Sequence, residues 1–187
     1  MTFLTDFADQ AVMLPVVAAI ALVLAAFGRR RAALVWLGVT GVTFVLVLVL
    51  KLGFQACGPV FGPWDLRSPS GHTAAASVVA GGLAALLTGR PRTALPIATL
   101  AALTIGFSRL ELGFHSLPEV VMGAIVGVAG AAVFSRLAGP APRRGPVWLL
   151  AVAVGVAMLS HGFRLPAEAA IRHASHGLLD FVPACRQ

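Results

Sequence analysis

The sequence predicts an all-α fold: a polytopic membrane protein built as a compact bundle of about six transmembrane helices. Three observations point there. Of 187 residues, 58% are hydrophobic and only 11% charged, too little charge to cover a water-facing surface of that size. The apolar residues gather into six long runs, and an apolar run in hydrocarbon must satisfy its own backbone hydrogen bonds, as a helix does. Clusters of arginine then alternate from one connection to the next. The dyad alternation and aromatic girdles of a membrane barrel are absent.

The runs cover roughly 10–28, 33–53, 71–88, 93–107, 117–138 and 146–164. Asp6 and Asp9 precede the first and Arg29, Arg30 and Arg31 follow it, the reverse of a secretory signal, so it reads as a retained span. The second ends near Lys51, the only lysine in the chain. The third is diluted by alanine, glycine and serine, and the fourth is short enough to need flanking residues. The fifth carries Gly123 and Gly127, a G-x-x-x-G pair suited to close helix approach within the bundle. The stretch "GPAPRRGP", 139–146, reads as a short connection, and residues 165–187 as a small amphipathic tail with Pro166 near its start. Residues 1–187 together read as a single membrane domain.

Arg29 to Arg31, Arg90 with Arg92, and Arg136 with Arg143 and Arg144 mark the first, third and fifth connections as cytoplasmic. Both termini and the connections 54–70 and 108–116 then face outward, with Lys51 at the edge of that side. The net charge of +7 and pI near 11.5 follow from this alternation. No basic helix, Cys/His finger or aromatic-rich basic sheet accompanies them, so nucleic acid is not a predicted partner; the lipid bilayer is. Cys57 and Cys185 fall on the outward side and allow one bridge or two free thiols. His161, His173 and His176 have no acidic partners in a metal-binding pattern, and no metal site is predicted. Trp36, Trp64 and Trp148 read as anchors at or near the interface. Nothing in the sequence indicates a homo-oligomer.

Polar chemistry is concentrated in the outward connections. In "SPSGH", Ser68 to His72, Ser70 suits an N-cap and Gly71 permits close approach, so the helix start is a candidate anion cradle with His72 beside it. In "SRLELGFHSLPE", Ser108 to Glu119, Arg109 offers a guanidinium fork and His115 a nucleophilic or basic nitrogen. Glu119 stands four residues after His115 and three after Ser116, placing it either to orient the imidazole or to close a capping box.

Lys51, the "PSGH" at 69–72 and the "SR-x5-H-x3-E" from Ser108 to Glu119 follow one another on one predicted face. In order and spacing this set resembles the three-part signature of the type 2 phosphatidic acid phosphatase superfamily, integral membrane phosphatases related to vanadium haloperoxidases. The resemblance implies that His115 is the nucleophile, that His72 is the acid for the leaving oxygen, and that Glu119 replaces an aspartate which orients the nucleophile. It implies phosphate binding by Lys51, Ser70, the Gly71 amide and Arg109. The implied reaction is metal-independent, cofactor-free removal of phosphate from a lipid phosphate or polyprenyl pyrophosphate through a phosphohistidine, with the site on the outer face of a bacterial inner membrane. Phosphotransfer to another acceptor, or lipid-phosphate binding without turnover, are its alternatives. The chain departs from the pattern at Gly58, where the first motif has an arginine, and Arg67 is the nearest candidate replacement. It also departs in having two spans before Lys51 instead of three, with one added after the catalytic core.

Overall fold

The computed structural model describes residues 1–57, 68–139 and 146–179, and all regular structure among them is helical. In chain order the helices are α1 (Thr2–Asp6), α2 (Gln10–Ala26), α3 (Arg30–Cys57), α4 (Gly71–Thr88), α5 (Pro91–Glu111), α6 (Leu117–Leu137), α7 (Pro146–Ser160) and α8 (Ala167–Leu179). The helices α2 to α7 correspond to the six expected spans. Four of them, α3 to α6, are long and apolar enough to cross a membrane. The other two are shorter, with 17 residues in α2 and 15 in α7. Gly58, Pro59, Trp64, Arg67 and Cys185, and most of the "GPAPRRGP" connection, lie outside the described residues.

The helix ends follow from local chemistry. Asp9 caps α2 by accepting from the Ala11 amide at 2.8 Å, which satisfies a donor that the first turn leaves unpaired. Ser70 caps α4, and Pro91 opens α5 at a position that needs no amide hydrogen. Helix α5 continues to Glu111, so Arg109 sits in its last turn and not in a connection. Charge concealed this continuation in the sequence, although a cation suits the negative end of the helix dipole. The chain then reverses at Gly113, where φ is +66°, a conformation open to glycine without steric cost.

Helix α4 is the most enclosed span, with 61% of its apolar window buried against 28% for that of α3. It packs between α5 and α6, with α3 across both α4 and α6. Small residues allow this. A Cβ on Gly81 would lie 2.6 Å from the Cβ of Ala131 and 2.7 Å from that of Ala98. One on Gly123 would meet the Ser70 carbonyl, and one on Gly127 the Ala74 carbonyl. The G-x-x-x-G pair is therefore an internal α6–α4 contact. Trp36 is a core residue, not an interfacial anchor: it is fully buried, donates its indole N–H to the Val17 carbonyl at 2.9 Å, and stands edge-on to Phe134. Gly82 makes the slot, since a Cβ there would be 2.7 Å from the indole ring. Trp148 is exposed, as expected of a lipid-facing aromatic.

Helices α2 and α7 pair with each other and share the core, α2 packing against α3 and both touching α4, and the amphipathic α8 lies on α3. The alternating run of the helices brings Lys51, Ser70, Arg109 and Ser116 to one end, opposite Arg29, Arg90 and Arg136.

Candidate active site

At that end a cavity of about 510 Å³ opens among α1, the α5–α6 connection, the start of α4 and the 164–168 segment. His72, Arg109, His115 and Glu119 line it. Glu119 joins three parts of the chain. Its Oε2 is 2.9 Å from His115 Nδ1 and accepts from the Ser116 amide at 3.0 Å; its Oε1 accepts from the Ser68 amide at 2.6 Å. The capping box is present, and the same carboxylate meets the imidazole. His115 lies before the N-cap, so the contact does not depend on a helical turn. Burial pushes the His115 pKa below its ordinary 6.5; the Glu119 hydrogen bond opposes this, and the charges of Lys51 and Arg109 add to it.

Arg109 is 7% exposed. Its guanidinium stands over the Phe114 ring at 4.4 Å, and Nη1 donates to Thr5 Oγ1 at 3.4 Å. Its Nε has no partner among the described residues, leaving donors for a ligand anion. His72 Nε2 faces Asp9 Oδ2 across 3.7 Å, an ion pair whenever the imidazole is protonated. Burial acts to raise the Asp9 pKa, but the facing His72 imidazole and hydrogen bonds from the amides of Ala11 and Leu165 hold it below the usual carboxylate value.

The rest of the expected set is distributed differently. Lys51 lines an adjoining groove of about 380 Å³ formed mainly by apolar residues, including Leu14, Phe44, Val47 and Leu48, with Gly71 and His72 at its polar end. Its ammonium donates to Ser68 Oγ at 3.0 Å and pairs with Glu168. A Cβ on Gly71 would be in ordinary van der Waals contact with the Cε of Lys51, at 3.4 Å. Ser70 is fully buried; its hydroxyl oxygen accepts from the Thr73 hydroxyl at 2.9 Å and its amide donates to the Glu119 carbonyl at 2.9 Å. Its hydroxyl is committed to capping α4, with its own hydrogen left as a donor.

Sequence reasoning missed Thr5, Asp6, Asp9, Gln55 and Glu168, which also line the chamber. One signal could have found four carboxylates. The chain has only seven Asp and Glu residues, and Asp6, Asp9, Glu119 and Glu168 all face this chamber. His161 is part of a clasp. Its Nε2 meets the Phe3 carbonyl at 3.0 Å, and its ring centroid lies 4.5 Å from that of Phe3 and 4.4 Å from that of Phe7, tilted to both. Arg164 meets Asp6 at 2.9 Å nearby.

The chain is 32% identical over 134 residues to a protein of Klebsiella pneumoniae described as "Uncharacterized 22.5 kDa protein in cps region", an alignment covering 68% of this chain and 64% of that protein. No solved structure matches. The family model described as the PAP2 superfamily matches residues 32–143, which hold Lys51, His72, Arg109, His115 and Glu119. With those residues in the matched segment and four of them around one chamber, the chain belongs to the PAP2 superfamily.

Proposed function

We propose that the protein is a phosphatase that removes phosphate from a phosphorylated membrane lipid or polyprenyl pyrophosphate through a phosphohistidine on His115. The carrying observation is the buried His115–Glu119 pair opening on the same chamber as Arg109 and His72. An ionised Glu119 accepts the Nδ1 hydrogen and leaves the Nε2 lone pair free to attack. As the N–P bond forms, the bond from phosphorus to the leaving oxygen breaks, and that oxygen takes its proton from His72. Water then attacks phosphorus while neutral His72 takes a water proton, and the N–P electron pair returns to His115 Nε2. Arg109 and Lys51 offset the charge on the equatorial oxygens, so the scheme uses no metal and no cofactor. The apolar groove beside Lys51 suits the chain of a lipid whose headgroup enters the chamber. The arginine clusters at the opposite end favour a site on the outer face of the membrane.

The test is phosphate release by purified protein in nanodiscs without divalent metal, from several lipid phosphates and pyrophosphates, alongside His115→Ala. Release abolished by the substitution supports the reading. No release from any substrate, with lipid binding unaltered by the substitution, overturns it. An added acceptor lipid separates hydrolysis from transfer, and cysteine labelling beside Arg67 and Arg92, with and without permeabilisation, reads the orientation.

A further inference from the structure

Glu168, in the first turn of α8, pairs with Lys51, whose side chain is 4% exposed. It lines both the chamber and the apolar groove, as do Asp9, His72 and Leu165. Lys51 faces the groove and Arg109 with His115 faces the chamber, so the Glu168 carboxylate stands at the junction of the two. It is close enough to both histidines and to Arg109 for their charges to act on it. Two contacts hold the chain leading into α8: the Leu165 amide donates to Asp9 Oδ1 at 3.3 Å, and Arg164 meets Asp6. The lysine read above as a phosphate ligand thus already carries an anion, supplied from outside the family-matched segment.

We propose that Glu168 is a specificity-determining residue, an internal anion that yields Lys51 to a dianionic phosphomonoester and withholds it from the monoanionic phosphodiesters of ordinary bilayer lipids. The inference rests on the reading of Lys51 as a phosphate ligand. The groove includes partly exposed Leu14 and Leu48, so a bundle in lipid meets diester headgroups far more often than monoesters. A diester replacing Glu168 exchanges one single negative charge for another and gains nothing in charge, while the carboxylate, being tethered, competes at high effective concentration. A phosphomonoester brings a second charge, which Arg109 and the histidines receive. If the pair is closed for nine-tenths to 99% of the time, a diester, which has only its single charge to place on Lys51, binds about 10- to 100-fold more weakly than to a free lysine, whereas a dianion keeps its hold on Arg109 and the histidines while the pair stays closed. Only the dianion recovers that loss, so selection works by rejection of the wrong ligand as well as by contacts to the right one.

The test is isothermal titration of the full chain in detergent at mildly alkaline pH, with inorganic phosphate as the dianionic probe and dihexanoyl phosphatidylglycerol as the diester. Wild type should prefer phosphate, and Glu168→Gln should bind the diester about 10-fold tighter, narrowing the preference. Glu168→Ala should agree, and Glu168→Asp, which keeps the charge but retracts it by one methylene, should fall between. Size-exclusion profile and thermal midpoint identify a variant that has not folded. Diester affinity unchanged or weakened in folded Gln and Ala variants, or diester and phosphate tightened by the same factor, overturns the proposal. The measurement needs no turnover, so its failure is distinct from failure of the phosphatase reading, which shows as absent phosphate release by wild type.

Discussion

The chamber has two walls of different origin. One comes from the family-matched segment and supplies Gln55, Ser68, His72, Arg109, His115 and Glu119; the other comes from α1, the start of α2 and the 164–168 segment, and supplies Thr5, Asp6, Asp9, Arg164 and Glu168. The first wall stands on helices locked by glycine contacts that no larger residue fits. The second packs on the same bundle through α2 and α8, and contacts between the two ends of the chain, among them His161 with Phe3 and Arg164 with Asp6, join its parts. The side chains proposed to carry the chemistry, which would tolerate little misplacement, sit on the first wall. Carboxylates that set the charge around them sit on the wall that the chain ends build.

The sharpest way to break this contrast is at the first wall. His115→Ala should lower phosphate release by about 10⁴-fold or more, as loss of a covalent nucleophile does, measured in the nanodisc assay. Arg109→Lys keeps the charge but loses the planar fork and should cost about 10²-fold in kcat/KM. Gly127→Val tests the support beneath: its branched side chain must enter the space of the Ala74 carbonyl. Overpacking of about 1–3 kcal/mol should lower the thermal midpoint and the yield of folded protein.

A smaller effect concerns pH. Attack requires neutral His115, whose pKa lies below its ordinary 6.5, so kcat/KM should rise with pH through an acid limb below that value. Glu119→Gln removes a group that raises this pKa, and the limb should move further down while kcat falls. A limb moving upward would exclude His115 as its origin. The smallest effect belongs to the second wall: Arg164→Ala removes an exposed ion pair with Asp6 and should leave the thermal midpoint nearly unchanged. A large loss there would show that the clasp supports the fold as much as the glycine core does.

The spans were legible because hydrocarbon leaves an apolar run few ways to satisfy its backbone. Arg109 was misplaced because a charge resembles a loop until the helix dipole and the φ at Gly113 are considered. Trp36 was misread because the slot that receives it is made by Gly82, more than forty residues away in sequence. Histidines and arginine at motif spacing identified the first wall. Asp9 and Glu168 have no such spacing to His72 and Lys51, since their contacts arise only when the chain ends fold back.

Glu119 also bears on how the protein is assembled. Its carboxylate links the start of α6 to the Ser68 segment ahead of α4 while it holds His115. During synthesis α4 leaves the ribosome before α6, so the bond from the Ser68 amide to Glu119 forms only when both have met, whereas the Glu119–His115 contact is local to the start of α6. A half-inserted chain therefore carries His115 and its carboxylate before that carboxylate has its second anchor.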